Sequence, residues 1–141
     1  MKFTIEPFVG VGPVRFGSTR AQVRATLAVP VESLLRNDDD AAETDVFESL
    51  GLYVEYDKDD RCVSVEMFSP ADPVFRDKRL LAVPYAEIKV WIRTLDPGVE
   101  IDEGGLASNT LGIGMAADVG RNDKNSRGES VIAFTRGYFE E

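Results

Sequence analysis

Between Leu52 and Met67 the chain alternates apolar and polar residues around a single polar turn, and that pattern admits few folds. Leu52, Val54 and Tyr56 interleave with Tyr53 and Glu55, the period of a strand with one buried face. Asp57-Lys58-Asp59-Asp60 follows as a turn, and Val63, Val65 and Met67 return on a second arm. The segment reads as an antiparallel hairpin. A hairpin alone is marginal in water, so its apolar face requires more strands or a helix.

Both are offered twice. Thr19-Arg20-Ala21-Gln22 has the capping-box pattern; Val23 and Leu27 share one helical face, Arg20 and Arg24 another, and Pro30 stops the run. This predicts a helix over 19–28. Tyr85, Ile88, Trp91, Ile92 and Leu95 form a second apolar stripe, opened near Pro84 and closed by Pro97-Gly98. Leu111-Gly112-Ile113-Gly114-Met115 mirrors Leu50-Gly51-Leu52-Tyr53-Val54, and Val131 to Phe134 mirrors Val63 to Met67. Phe3-Thr4-Ile5 opens the chain as a strand, and Ser69 to Pro73 closes the first half as a loop. The expectation is an α+β fold in one domain over 1–141. An internal pseudo-repeat, 1–75 and 76–141, gives two tandem helix-plus-β-hairpin units forming one antiparallel sheet with helices on one face. The other sheet face is left partly open to a partner.

Charge is distributed unevenly. The chain has 25 acidic and 16 basic residues and a net charge of −9. Between Asn37 and Asp60 stand Asp38, Asp39, Asp40, Glu43, Asp45, Glu48, Glu55, Asp57, Asp59 and Asp60, with Lys58 as the sole base. Ten acids against one base account for the whole net charge, and the remaining chain is balanced. A field of this kind attracts cationic partners and repels nucleic acid and anionic membranes. Asn37 to Thr44 reads as a solvated loop.

Histidine is absent, which removes the commonest general base and transition-metal ligand. The single cysteine, Cys62, can form neither an intrachain disulfide nor a thiolate zinc site; within Cys62-Val63-Ser64-Val65 it reads as a small half-buried strand residue. The N-terminus lacks a continuous apolar run of the signal-peptide kind, and no stretch approaches membrane-span length, so a cytoplasmic location is expected.

Other motifs carry less. Gly10-Val11-Gly12-Pro13 lacks the third glycine of a dinucleotide loop, and Pro13 removes a donor, so a structural turn accounts for it. Asp118 to Glu129 imitates a calcium loop through Asp118, Asn122, Ser126 and Glu129. Its third position, however, is Gly120, and Asp123 stands where an EF-hand requires glycine. Glu55 and Glu66 are the candidates for a carboxylate pair, yet both alternate away from the apolar face. Tyr85 and Trp91 belong to the core stripe, whereas Tyr53, Tyr138 and Phe139 would anchor a partner if exposed.

Phe16-Gly17-Ser18-Thr19 with Val23 and Leu27 resembles the opening of a small bacterial module. Its usual form is Phe-Gly-Met-Thr, three residues, Val, three residues, Leu-Gly. The module occurs in outer-membrane-assembly lipoproteins and, in tandem, in proteins similar to the β-lactamase inhibitor protein. The chain also resembles uncharacterised bacterial immunity-type proteins. The motif covers about 12 residues, and the tandem order extends a looser likeness over most of the chain. Ser18 replaces Met, Ala28 replaces the closing Gly, and no lipid-attachment cysteine stands near the N-terminus. The resemblance implies protein binding through a curved sheet and its loops, without chemistry or catalytic residues.

The reading is a cytoplasmic, non-enzymatic protein-binding module of the immunity-protein kind. It has no cofactor and masks a basic protein such as a toxin through Asp38, Asp39, Asp40, Glu43, Tyr53, Glu55, Asp57, Asp59 and Asp60. The alternative is a small-ligand or calcium-binding domain built on the Asp118 to Glu129 loop. A carboxylate-dependent hydrolase would require a buried Glu in a cleft.

Overall fold

Strand alternation, helix capping and a shared apolar core are all visible in the computed structural model, which describes residues 1–117 and 125–138. Among these residues the fold is mixed α and β, mostly sheet, with two helices and two sheets of five and eight strands.

The larger sheet is antiparallel throughout. Its first half is a meander of β4 (Glu32–Leu34), β5 (Thr44–Phe47), β6 (Leu52–Tyr56) and β7 (Cys62–Met67). Its second half is β10 (Glu100–Asp102), β11 (Gly105–Ser108), β12 (Ile113–Ala116) and β13 (Ser130–Phe134). The halves join where β13 pairs with β7, so among the described residues β4 and β10 are the outer strands. The hairpin legible in Leu52 to Met67 is β6–β7. Val54 lies opposite Val65 and Leu52 opposite Met67, as the alternation requires.

The smaller sheet places β1 (Lys2–Glu6) at its centre, between β2 (Gly10–Val11), which leads on to β3 (Val14–Arg15), and β8 (Asp72–Phe75), which leads on to β9 (Lys78–Arg79). β1 and β8 run parallel, with Phe3 beside Pro73.

The expected plan is therefore corrected in two respects. The strands form two sheets rather than one, because the Pro-rich Ser69 to Pro73 segment is partly a strand, β8, that pairs with the N-terminus. Nor are the units helix plus hairpin: each helix is followed by four antiparallel strands.

Helix α1 spans Arg20–Leu27. Thr19 caps it, its hydroxyl accepting from the Gln22 amide while the Gln22 side chain accepts from the Thr19 amide at 2.8 Å. It ends on Ala28 at φ 51°, the left-handed conformation that glycine occupies most easily. Helix α2 spans Tyr85–Leu95 and buries Tyr85, Ile88 and Ile92. Both helices enter one core with Phe3, Ile5, Phe75, Phe47, Val65, Ile113 and Val131. Each such side chain, fully withdrawn from water, contributes about 1.5–3 kcal/mol. Trp91 is half-buried at the core's margin, its ring centroid 5.8 Å from that of Phe75. The second sheet thus shares with the helices the task of covering the large sheet's apolar face.

Candidate functional site

The acidic residues converge through topology. The loop between β4 and β5 and the turn between β6 and β7 lie at the same end of the large sheet, because β5 and β6 are antiparallel neighbours with Asp45 opposite Val54. Glu48, in the turn joining β5 to β6, lies at the opposite end.

Arg20 ties the two loops together. Its Nε donates to Asp60 at 2.9 Å, Nη2 donates to the Glu43 carbonyl at 2.8 Å and to Asp60 at 2.9 Å, and Nη1 donates to Asp45 at 2.7 Å. The guanidinium also stacks 4.1 Å above the Tyr56 ring. Every nitrogen of this planar fork is used, and its cationic form is favoured first by the hydrogen bond to Asp60, against the opposing effect of burial.

Asp45 departs most from the sequence reading. By sequence it belongs to the anionic segment, yet its side chain is wholly buried. Oδ1 accepts from Arg20 Nη1, Arg24 Nη2 and Ser33 Oγ, and Oδ2 accepts from Arg24 Nε and the Tyr56 hydroxyl at 3.0 Å. Burial alone would raise its pKa; hydrogen bonds from Arg24, Ser33 and Tyr56 and the charge of Arg20 outweigh that and hold it below the ordinary carboxylate value. The same burial, with Asp45 alongside, pushes the Tyr56 hydroxyl far upward, so it stays a donor. This cluster anchors α1 and β4 to the sheet. It is a structural element rather than a docking surface.

Asp60, although exposed, is also satisfied: its bond from Arg20 holds its pKa below the usual value. Asp40 accepts from the Arg36 and Asn37 amides, and Asp57 from those of Asp59 and Arg61, so these two carboxylates shape their loops. Among the described residues Asp38, Asp39, Asp40, Glu43, Asp57 and Asp59 make no ion pair. Arg20, Arg24 and Arg61, all outside the acidic window, stand at the same end, so the negative field there is smaller than the sequence count implies.

Tyr53 and Glu55 lie elsewhere, on the sheet face turned away from the core, and both are half-buried. Tyr53 packs against Phe68 and under Arg36, whose guanidinium also bonds Glu66 at 3.0 Å. Glu55 accepts from Ser64 and from the Tyr138 hydroxyl. Tyr138 is half-buried, stacks on Phe134, and its hydroxyl is raised by burial and by Glu55. These groups are mutually satisfied and do not join the loop carboxylates. Phe139 lies outside the described residues, as do Asp118 and Asn122 of the calcium-like loop. Among the described residues no group of three or more acidic or thiol ligands could hold a metal. Cys62 is fully buried, more than the half-burial expected, and burial pushes its thiol up to about 12. No described helix is long and apolar enough to cross a membrane.

Sequence reasoning missed Asp45 and its partners. One signal was present: Arg20 and Arg24 sit four apart on a short helix, where like charges repel unless a shared anion lies between them. No protein-family model, curated protein or solved structure matches the chain.

Proposed function

We propose that this chain is a cytoplasmic, non-enzymatic protein-binding module of the immunity-protein kind that masks a basic protein, such as a toxin, through the acidic end of its large sheet. The observation carrying this reading is the pair of adjacent loops, 35–43 and 57–61, clamped by Arg20 and carrying six carboxylates without an ion pair among the described residues, four of them not engaged in shaping the loops. Clamped loops lose little conformational freedom on binding, and their field raises the association rate by ~10- to 10³-fold at low salt. The surface set differs from the sequence expectation: Asp38, Asp39, Glu43 and Asp59 face the partner, while Asp40, Asp57 and Asp60 shape and brace the loops. The order of one helix then four antiparallel strands, occurring twice, supports an internal duplication.

The test is capture of the partner from native lysate at low and high salt, its identification, and kinetics with the variant D38N/D39N/D59N. A basic partner whose association slows about tenfold in the variant, with a flatter salt dependence, is expected. An association rate and salt slope identical to those of the unmodified chain would refute the reading.

A further inference from the structure

Sheets normally protect their free edges with charge, brevity or covering chain. Among the described residues the two sheets end on β3, β9, β10 and β4. β3 and β9 are two residues long and carry Arg15, and Lys78 with Arg79, respectively. β10 carries Glu100 and Asp102 on either side of a half-buried Ile101. β4 differs: Glu32, Ser33 and Leu34 are all exposed, its only strand partner among the described residues is β5, and Leu35 follows directly. Leu34 is 39% and Leu35 53% exposed, the one adjacent pair among the large exposed apolar side chains of the described residues. The neighbouring chain is mostly acidic: Glu32 and Glu48 lie near the start of β4, lining a depression of about 460 Å³ with Val31 and Val46, and Asp38 and Asp39 follow its end beyond Arg36, whose guanidinium is paired with Glu66.

We infer that β4 is the docking edge for an extended, cationic segment of the partner, which adds to the large sheet as a further strand. Ladder bonds to β4 supply affinity that is indifferent to sequence, Leu34 and Leu35 cover apolar side chains, and the carboxylates at both ends select Lys or Arg on the flanks. A second copy of this chain is the wrong occupant, because antiparallel edge-to-edge pairing centred near Leu35 sets the Glu32 end of one copy against the Asp38 and Asp39 end of the other. The inference rests on the proposed binding of a basic protein and specifies where and how that protein is held. The Ser33 hydroxyl and Arg24 fix β4 to Asp45, so the edge is rigid before the partner arrives.

The test uses the full chain and a short synthetic peptide of alternating Lys and Val. A second peptide is N-methylated at alternate residues, keeping the charge and side chains but removing the ladder donors. At low salt the first peptide slows amide exchange at residues 32–35 about tenfold or more and binds about tenfold tighter than the methylated one. L34S/L35S weakens the first peptide about tenfold while leaving the thermal midpoint within a few degrees. Equal binding of both peptides, with changes confined to 38–43 and 57–61, overturns strand addition but leaves the basic-partner reading standing. Protection at 100–102 instead moves the site to β10 and overturns this assignment. Conversion of a dimer into a monomer by L34S/L35S identifies a second copy as the occupant and also overturns it. Silence with both peptides removes the docking edge, and the capture experiment then decides the wider reading on its own.

Discussion

Asp45→Asn tests the central structural claim, that one buried carboxylate organises α1, β4 and both acidic loops. The native group accepts five hydrogen bonds on two oxygens. The amide offers one oxygen, and its NH₂ faces donors that need an acceptor. With the oxygen toward Arg20, Arg24 Nη2 and Ser33, the NH₂ confronts Arg24 Nε and the Tyr56 hydroxyl. Hydrogen bonds to charged groups contribute about 1.5–3 kcal/mol each, and removing one partner of a buried ion pair costs about 3–5 kcal/mol. Two features reduce that cost here: the Arg24 side chain is 39% exposed and can turn to water, and Arg20 keeps Asp60 and the Glu43 carbonyl. The expected loss is about 3 kcal/mol, a large share of the 5–15 kcal/mol by which a domain is stable. Urea unfolding followed by Trp91 fluorescence measures it, because Trp91 is the only tryptophan and packs against Phe75. The exposed control Asp59→Asn should stay within about 0.5 kcal/mol. A loss below about 1 kcal/mol for Asp45→Asn would refute the argument.

Acid titration gives the same claim a second readout. The folded-state pKa of Asp45 lies below its unfolded value. Its stabilisation is therefore complete above the ordinary carboxylate range, near 4, and is lost as pH falls through the lower folded value. The difference between the native chain and Asp45→Asn should be full at pH 6 and shrink below about pH 4; a pH-independent difference would assign the effect to shape rather than charge.

Ala28→Gly should stabilise the protein by about 0.5 kcal/mol, since Ala28 sits at φ 51° at the end of α1, partly offset by the added freedom of the unfolded chain; a destabilised variant would contradict this. Tyr85→Phe should be neutral or stabilising by up to about 1 kcal/mol, because the buried Tyr85 hydroxyl has no hydrogen-bond partner among the described residues; thermal melts decide the sign. Cys62 should react with a thiol reagent at pH 8 only on unfolding, and the fold should weaken between about pH 9 and 12, where the unfolded thiol ionises and the folded one does not. Native-state labelling as fast as that of a denatured sample would show the thiol to be accessible.

The elements legible in the sequence are those in which periodicity and burial coincide. β6 and α2 bury alternate or helically spaced apolar residues, β7 does so from Val65 to Met67 beyond a register shift that leaves Val63 half-buried, and α1 carries a complete capping box. β5 was hidden because Thr44-Asp45-Val46-Phe47 is buried on every residue, so no alternation appears and a carboxylate interrupts the apolar run. β4 was hidden for the opposite reason, being exposed throughout. β8 contains Pro73, which argues against a strand unless, as here, the chain places it at the start of one.

The candidate surface shows why charge counted along a chain differs from charge arranged in space. Ten acids in 37–60 look like one field, but a strand-turn-strand path sends Glu48 to one end, Glu55 to a sheet face and Asp45 into the core, while α1 brings Arg20 and Arg24 onto Asp45 and Arg20 onto Asp60 as well. The two arginines remove negative potential, and Arg20 in return ties the Glu43 carbonyl of one loop to Asp60 of the other. A mobile acidic loop and a clamped one carry the same formal charge, but only the clamped one presents it at fixed spacing to a partner. Arg20 therefore serves the proposed binding surface as its brace, beside Asp60, which it neutralises. If Arg20→Ala left amide exchange in 37–43 and 57–61 unchanged, the clamping, and the specificity argued from it, would be wrong.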